Sequence, residues 1–287
     1  MLLRLICLCL VMSGSALAET QRATVGGREY LIDLPSQSAG APLIVALHGG
    51  GGSPAQFARS SGISKVAIPA GFAVAYPAGS GRGRFLTWNG GYCCGYAARK
   101  DIDDVAFLEA VIQDAVARFG VDRDRVFMTG MSNGAIMAEA YAAVRPGDLR
   151  AVAGVAGTLD LKAHPPRAAL PILHIHGTAD TRVPYAGGQT GDGLTTADFT
   201  PVPAVIEAFK ALTPSLVRQD RTLDRVKDGT RVVETTWRSG DKPMIRLMTI
   251  EGGGHVWPKG ARSKRQANAT QEIDASDEII RFFGEFR

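Results

Sequence analysis

The chain has 287 residues, 45% of them hydrophobic and 21% charged, which is ordinary globular composition with length for one large core. Its formal net charge of +4 is too small to imply a nucleic-acid partner. No internal repeat or low-complexity tract is present, which sets repeat and low-complexity classes aside.

In chain order, Met1 to Ala18 reads as a secretory signal peptide. Arg4 gives the positive start, Leu5 to Met12 the apolar run, and Ala16-Leu17-Ala18 the small-x-small cleavage site. The run is too short for a permanent membrane anchor, and Cys7 and Cys9 lack a lipoprotein-like setting. Cleavage removes Arg4 and no acid, so the charge falls from +4 to +3. A soluble exported protein follows, periplasmic or extracellular and with no membrane contact once processed. Residues 19–287 then read as one α/β domain.

Val25 to Leu34 reads as an opening strand. Pro42 to His48 is a continuous apolar run, suited to a strand buried on both faces, and it empties into Gly49-Gly50-Gly51-Gly52-Ser53. Gln56 to Ala70 reads as helix and Phe72 to Tyr76 as strand. Pro77 to Gly95, rich in glycine and aromatics, reads as a functional loop without elements. Asp103-Asp104 caps a periodic helix over Val105 to Phe119. Strands follow at Val126–Thr129, Ala151–Ala156 and Ile172–His176, then a helix over Pro203–Leu212. The last strands are Arg231–Arg238 and Met244–Ile250, and an amphipathic helix over Ile273–Phe286 closes the chain. Strands alternating with helices predict a doubly wound, mostly parallel sheet with helices on both faces. Ala186 to Val202 is a candidate rim or partial lid. Lys259, Arg262, Lys264 and Arg265 form a basic cluster, read as a solvated loop.

The most telling stretch is Gly130-Met131-Ser132-Asn133-Gly134, between the strand Arg125–Thr129 and a small-residue helical run from Ala135 to Tyr141. A sharp strand-to-helix turn exposes a serine hydroxyl, and the flanking glycines let two backbone segments pass close to it. A serine nucleophile needs a base, and that base needs an orienting acid. In this strand–turn–helix setting the chain order is nucleophile, acid, base. Asp180 follows the strand Ile172–His176 and is the preferred acid, over Asp160, Asp192 and Asp198. His255 follows the last strand in a glycine-rich loop and is the preferred base. His174 and His176 alternate with apolar residues and read as core groups. His48 is expected to order the glycine loop, and His164 carries no motif. The oxyanion donors expected are the backbone N–H groups of Gly50 and Asn133.

Cys93 and Cys94 are adjacent. Export favours a vicinal disulfide, strained because neighbouring Cα atoms stand about 3.8 Å apart, and two buried thiols are the other reading. No Cys/His partner sits at zinc-like spacing, so no metal and no cofactor is expected. Trp88, Tyr92, Tyr96 and Trp257 either line an acyl pocket or pack the loops they sit in.

Six stretches together carry a family resemblance. They are Leu47-His48-Gly49-Gly50, Thr87-Trp88-Asn89 with Cys93-Cys94, Asp101 to Phe107, Gly130 to Gly134, His176 to Asp180 with Val183-Pro184-Tyr185, and Gly254 to Pro258. The chain resembles secreted α/β-hydrolase esterases of the polyhydroxybutyrate depolymerase and feruloyl esterase type, over nearly its whole mature length. The resemblance implies an α/β-hydrolase fold and a Ser132–His255–Asp180 triad that cleaves carboxylic esters. Depolymerase relatives often carry cysteine where this chain has Gly50. No appended polymer-binding domain is read, which points to small or oligomeric esters. Rival readings are a peptidase of prolyl-oligopeptidase type and a non-catalytic binding protein with the same fold.

Overall fold

A computed structural model describes residues 20–83, 85–190, 197–261 and 268–287. The expected signal peptide, Asp192 and three of the four basic-cluster residues (Arg262, Lys264, Arg265) lie outside the described residues.

The chain opens with a hairpin, β1 (Thr20–Val25) and β2 (Arg28–Asp33), then β3 (Pro42–Leu47). The expected strand Val25–Leu34 thus straddles a turn at Gly26-Gly27. Helices α1 (Pro54–Ser61) and α2 (Ile63–Ala67) replace the single helix expected over Gln56–Ala70. The break falls at Gly62, whose N–H caps α1 on the Ala58 carbonyl. Strand β4 (Ala73–Pro77) comes next. The stretch 77–95, expected to be loop, holds a short hairpin of β5 (Ser80–Arg82) and β6 (Phe85–Thr87) and runs into α3 (Gly95–Arg99). Then come α4 (Asp104–Phe119), β7 (Asp122–Met131), α5 (Asn133–Val144), β8 (Ala151–Val155) and β9 (Ile172–Gly177). A two-residue pair, β10 (Gly188–Gln189) with β11 (Asp198–Phe199), brackets the rim loop and precedes α6 (Val202–Lys210). The chain ends in β12 (Val217–Leu223), β13 (Arg231–Ser239), β14 (Lys242–Glu251) and α7 (Ala275–Gly284).

Ten strands form one sheet in the order β1-β2-β4-β3-β7-β8-β9-β14-β13-β12. The six from β4 to β14 run parallel, and antiparallel strands finish both edges. This is the doubly wound α/β-hydrolase arrangement. Burial follows the pleat: Leu43, Val45 and Leu47 of β3 face one core, Ile44 and Ala46 the other. Helices α4, α5 and α6 cover the first face, while α1, α2 and α7 cover the second. With both faces covered, the central strands must be apolar throughout, and β3, β4, β8 and β9 are buried at every position. Neighbouring parallel strands end along one rim of the sheet, where open α/β sheets place their sites.

Candidate active site

Strand β7 ends at Met131 and α5 begins at Asn133, so the whole turn is made at Ser132. Its φ of 56° and ψ of −124° are costly for any residue with a side chain. Tight packing holds it there. A Cβ on Gly134 would lie 2.3 Å from the Leu47 carbonyl oxygen, and one on Gly130 would lie 2.4 Å from the Gly134 backbone. Only glycine lets α5 sit this close to β3 and β7. The Ser132 N–H donates to the Val155 carbonyl at 2.8 Å, which anchors the turn to β8.

Two strands along, the turn after β9 presents Asp180. Its Oδ1 accepts from the backbone N–H groups of Arg182 and Val183, both at 2.9 Å. Its Oδ2 accepts from His255 Nδ1 at 2.7 Å, with His176 Nε2 at 3.4 Å. Burial pushes the Asp180 carboxyl up. The hydrogen bonds and charges of His176 and His255 outweigh it and hold the group well below the usual carboxylate range. With Nδ1 donating to Asp180, His255 Nε2 is left as an acceptor. The loops carrying the two residues interlock, because a Cβ on Gly177 would stand 2.2 Å from the Gly253 carbonyl oxygen.

Ser132 and His255 line one cavity of about 310 Å³, with Gly50 and Trp257. No hydrogen bond joins Ser132 to His255 among the described residues, a looseness common in unliganded serine–histidine pairs. The wall opposite is the glycine loop after β3. Gly51 N–H donates to the Leu86 carbonyl and Gly52 N–H to the Gly49 carbonyl, while no described group accepts from Gly50 N–H. Asn133 is the first residue of α5, so its N–H has no acceptor inside the helix. His48 orders this loop as expected. Its Nδ1 donates to the Gly49 carbonyl at 2.8 Å and its Nε2 accepts from Gly79 N–H at 2.9 Å. Burial pushes this imidazole down to about 4.

The aromatic residues divide. Trp257 lines the cavity, packed edge-to-face on Phe57. Trp88 does not: it is 0% exposed, and its indole donates to the His48 carbonyl at 2.9 Å. The Asn133 side chain closes this inner layer by bonding both Trp88 N–H and the Trp88 carbonyl. Tyr92 packs on Phe199 of the rim loop and donates to the Thr158 carbonyl. Tyr96 lines a second cavity, of about 420 Å³, with Arg82, Phe85 and Arg99. Cys93 and Cys94 are buried, their sulfurs brought together as a vicinal pair against Val183 and Phe199. Asp160 accepts from Tyr92 N–H and from Lys162 and Ala163, so it ties loops together. Asp198 is exposed on β11. Asp103 caps α4 through Ala106 N–H, and Asp104 bonds Arg28 and Asn89 N–H.

Sequence reasoning missed a buried polar chain behind Asp180. His176 Nε2 faces the Val183 carbonyl at 2.8 Å, an acceptor only, so Nε2 carries the proton. His176 Nδ1 then accepts from His174 Nε2 at 3.2 Å, and His174 Nδ1 meets Glu139 Oε1 at 2.7 Å. The alternation of the two histidines along β9 was visible, but their partner comes from α5. Among the described residues no group of three or more His, Cys, Asp or Glu could hold a metal, and no helix is long and apolar enough to cross a membrane.

The profile described as Esterase PHB depolymerase matches residues 29–209. The chain belongs to this family. Membership makes it a carboxylic ester hydrolase, with an ester as its small-molecule substrate. The esterase is 32% identical over 264 residues to "Putative esterase NocK" of Nocardia uniformis subsp. tsuyamanensis, covering 86% of this chain and 75% of that one. It is 25% identical to "Probable feruloyl esterase C" of Aspergillus niger, covering 87% and 84%. Among solved structures it shares its fold with the acetyl xylan esterase from Aspergillus awamori, at a TM-score of 0.64 and 15% identity over 93% and 99% of the two chains.

Proposed function

We propose that this esterase works through a Ser132–His255–Asp180 triad and a covalent acyl-enzyme. The observation that carries the reading is the 2.7 Å bond from His255 Nδ1 to Asp180, at a cavity that Ser132 enters from a strained turn. His255 Nε2 takes the Ser132 hydroxyl proton as Oγ attacks the ester carbonyl carbon. Negative charge gathers on the carbonyl oxygen and is received by Gly50 N–H and Asn133 N–H, neither of which bonds a described group. The C–O bond breaks and the alcohol leaves with the proton from His255. Water then attacks the acyl-Ser132 carbonyl, again giving its proton to His255, and the acid departs. Asp180 keeps the imidazole in the tautomer this sequence needs. No step calls for a metal or cofactor.

The reading extends to an exported single-domain enzyme, processed after Ala18, with a Cys93–Cys94 disulfide. The substrate is a small or oligomeric ester of feruloyl, aryl or hydroxyalkanoate type, with Trp257 as the aromatic wall. Ser132→Ala is expected to abolish p-nitrophenyl butyrate hydrolysis and fluorophosphonate labelling at an unchanged Tm. Wild-type activity in that variant defeats the triad, and an unlabelled, inactive wild type favours a binding protein.

A further inference from the structure

Arg182 sits two residues beyond Asp180 and lines the same cavity as Ser132 and His255. Among the described residues most buried or half-buried cations are spent on a carboxylate: Arg28 on Asp104, Arg145 on Asp148 and Glu109, Arg246 on Glu285 and Glu234. The exposed Arg182 guanidinium pairs with no described group. The nearest acid in sequence, Asp180, has both oxygens occupied by His255, His176 and two backbone N–H groups. Among the described residues no aspartate or glutamate lines the cavity, whose other polar side chains include Gln56, Ser60, Ser132 and His255. The backbone of Arg182 is nonetheless fixed, because its N–H is bonded to Asp180 Oδ1 at 2.9 Å. An exposed cation on a fixed backbone at the cavity of Ser132 and His255, with no described carboxylate in the lining, offers a site for an anion.

We propose that Arg182 selects esters carrying a carboxylate close to the scissile bond. This rests on Ser132 being the nucleophile of the cavity. A free carboxylate on the acyl or the alcohol side brings two acceptor oxygens to the planar guanidinium fork, a geometry that lysine does not reproduce. The attraction acts on the Michaelis complex and on the steps after it, so it is read in kcat/KM.

Two substrate pairs test it, each an anionic ester with its neutral counterpart. The mono-p-nitrophenyl ester of succinic acid against p-nitrophenyl butyrate places the charge on the acyl side. The 3-hydroxybutyrate dimer against its methyl ester places the charge on the alcohol side. The readout is the anionic-to-neutral ratio of kcat/KM. In at least one pair the wild-type ratio is expected to fall about threefold to fivefold in Arg182→Gln, invert in Arg182→Glu and recover in part in Arg182→Lys, the size expected of one solvent-accessible charge-assisted pair. It should also shrink as salt rises. A ratio that Arg182→Gln leaves unchanged in both pairs overturns the proposal, including the case where both substrates slow in parallel because the Asp180 turn has shifted. Wild-type protein inert toward all four esters overturns instead the reading of Ser132 on which the proposal stands.

Discussion

His48 is the residue whose setting makes the sharpest prediction. Its imidazole donates to Gly49 and accepts from Gly79, so only the neutral ring satisfies both contacts. Burial, the largest cause, pushes it down to about 4; the Arg28 charge adds to this and the bond to Gly49 opposes it. The unfolded chain takes up this proton near the ordinary histidine value of 6.5, the folded chain only near 4. Stability held above pH 6.5 is therefore lost as the pH falls toward 4, by up to about 3 kcal/mol. Urea unfolding at pH 7.5 and pH 4.5 is expected to show this loss, and His48→Asn, less stable at neutral pH, to show a flatter dependence. An identical slope in the variant assigns the acid sensitivity to other groups. The same ring holds the loop that carries Gly50, so its protonation loosens that loop.

At the scale of elements, the entry to α4 is held by a buried ion pair. Asp104 bonds Arg28 of β2 at 2.7 Å and Asn89 N–H at 2.7 Å, and the Arg28 guanidinium lies 3.5 Å from the Phe107 ring centre. Burial pushes the Asp104 carboxyl up while Arg28 pulls it back. Asp104→Asn leaves Arg28 with no counter-charge, and a loss of about 3 kcal/mol is expected, or roughly 5–10 °C in Tm. An unchanged Tm would mean that water replaces the pair. How legible each element was follows from what holds it. Strands β3, β8 and β9 are apolar runs because both faces are covered, and they stand out in the sequence. Strand β12, Val217–Leu223, alternates charges at a sheet edge and is exposed at six of its seven positions, so no hydrophobic pattern marks it. The β5–β6 hairpin is held by backbone pairing at three positions per strand, which leaves no residue code. The sequence leaves Trp88 either as a cavity wall or as loop packing; the second holds, because its place is set by partners far along the chain, His48 and Asn133. Ser132, Asp180 and His255 each sit in a short local motif after a strand, so the sequence alone singles them out as candidates. The Glu139–His174–His176 chain and the place of Arg182 needed the tertiary structure.

For the molecule as a whole, the sheet order decides what meets. Strands β3, β7, β8, β9 and β14 are neighbours, so the glycine loop, Ser132, Asp180 and His255 arrive on one rim from segments more than 200 residues apart at their extremes. The two cores, one on each face, keep that rim rigid. Gly177 shows what the rigidity is for. Ala at this position must push the β9 end off Gly253, at a cost of about 1–3 kcal/mol, the usual range for overpacking. Gly177→Ala is expected to lower kcat more than tenfold with little change in KM, measured beside Tm; a fall in Tm with kcat intact would make the contact structural only. The interlock has a mechanical corollary. Asp180 and His255 are carried on two loops that cannot part, so they share one frame and move as a single jaw. The distance from His255 to Ser132 is then set by where this jaw sits against α5 and by the Ser132 rotamer, and Arg182, bonded through its N–H to Asp180, is carried on the same jaw.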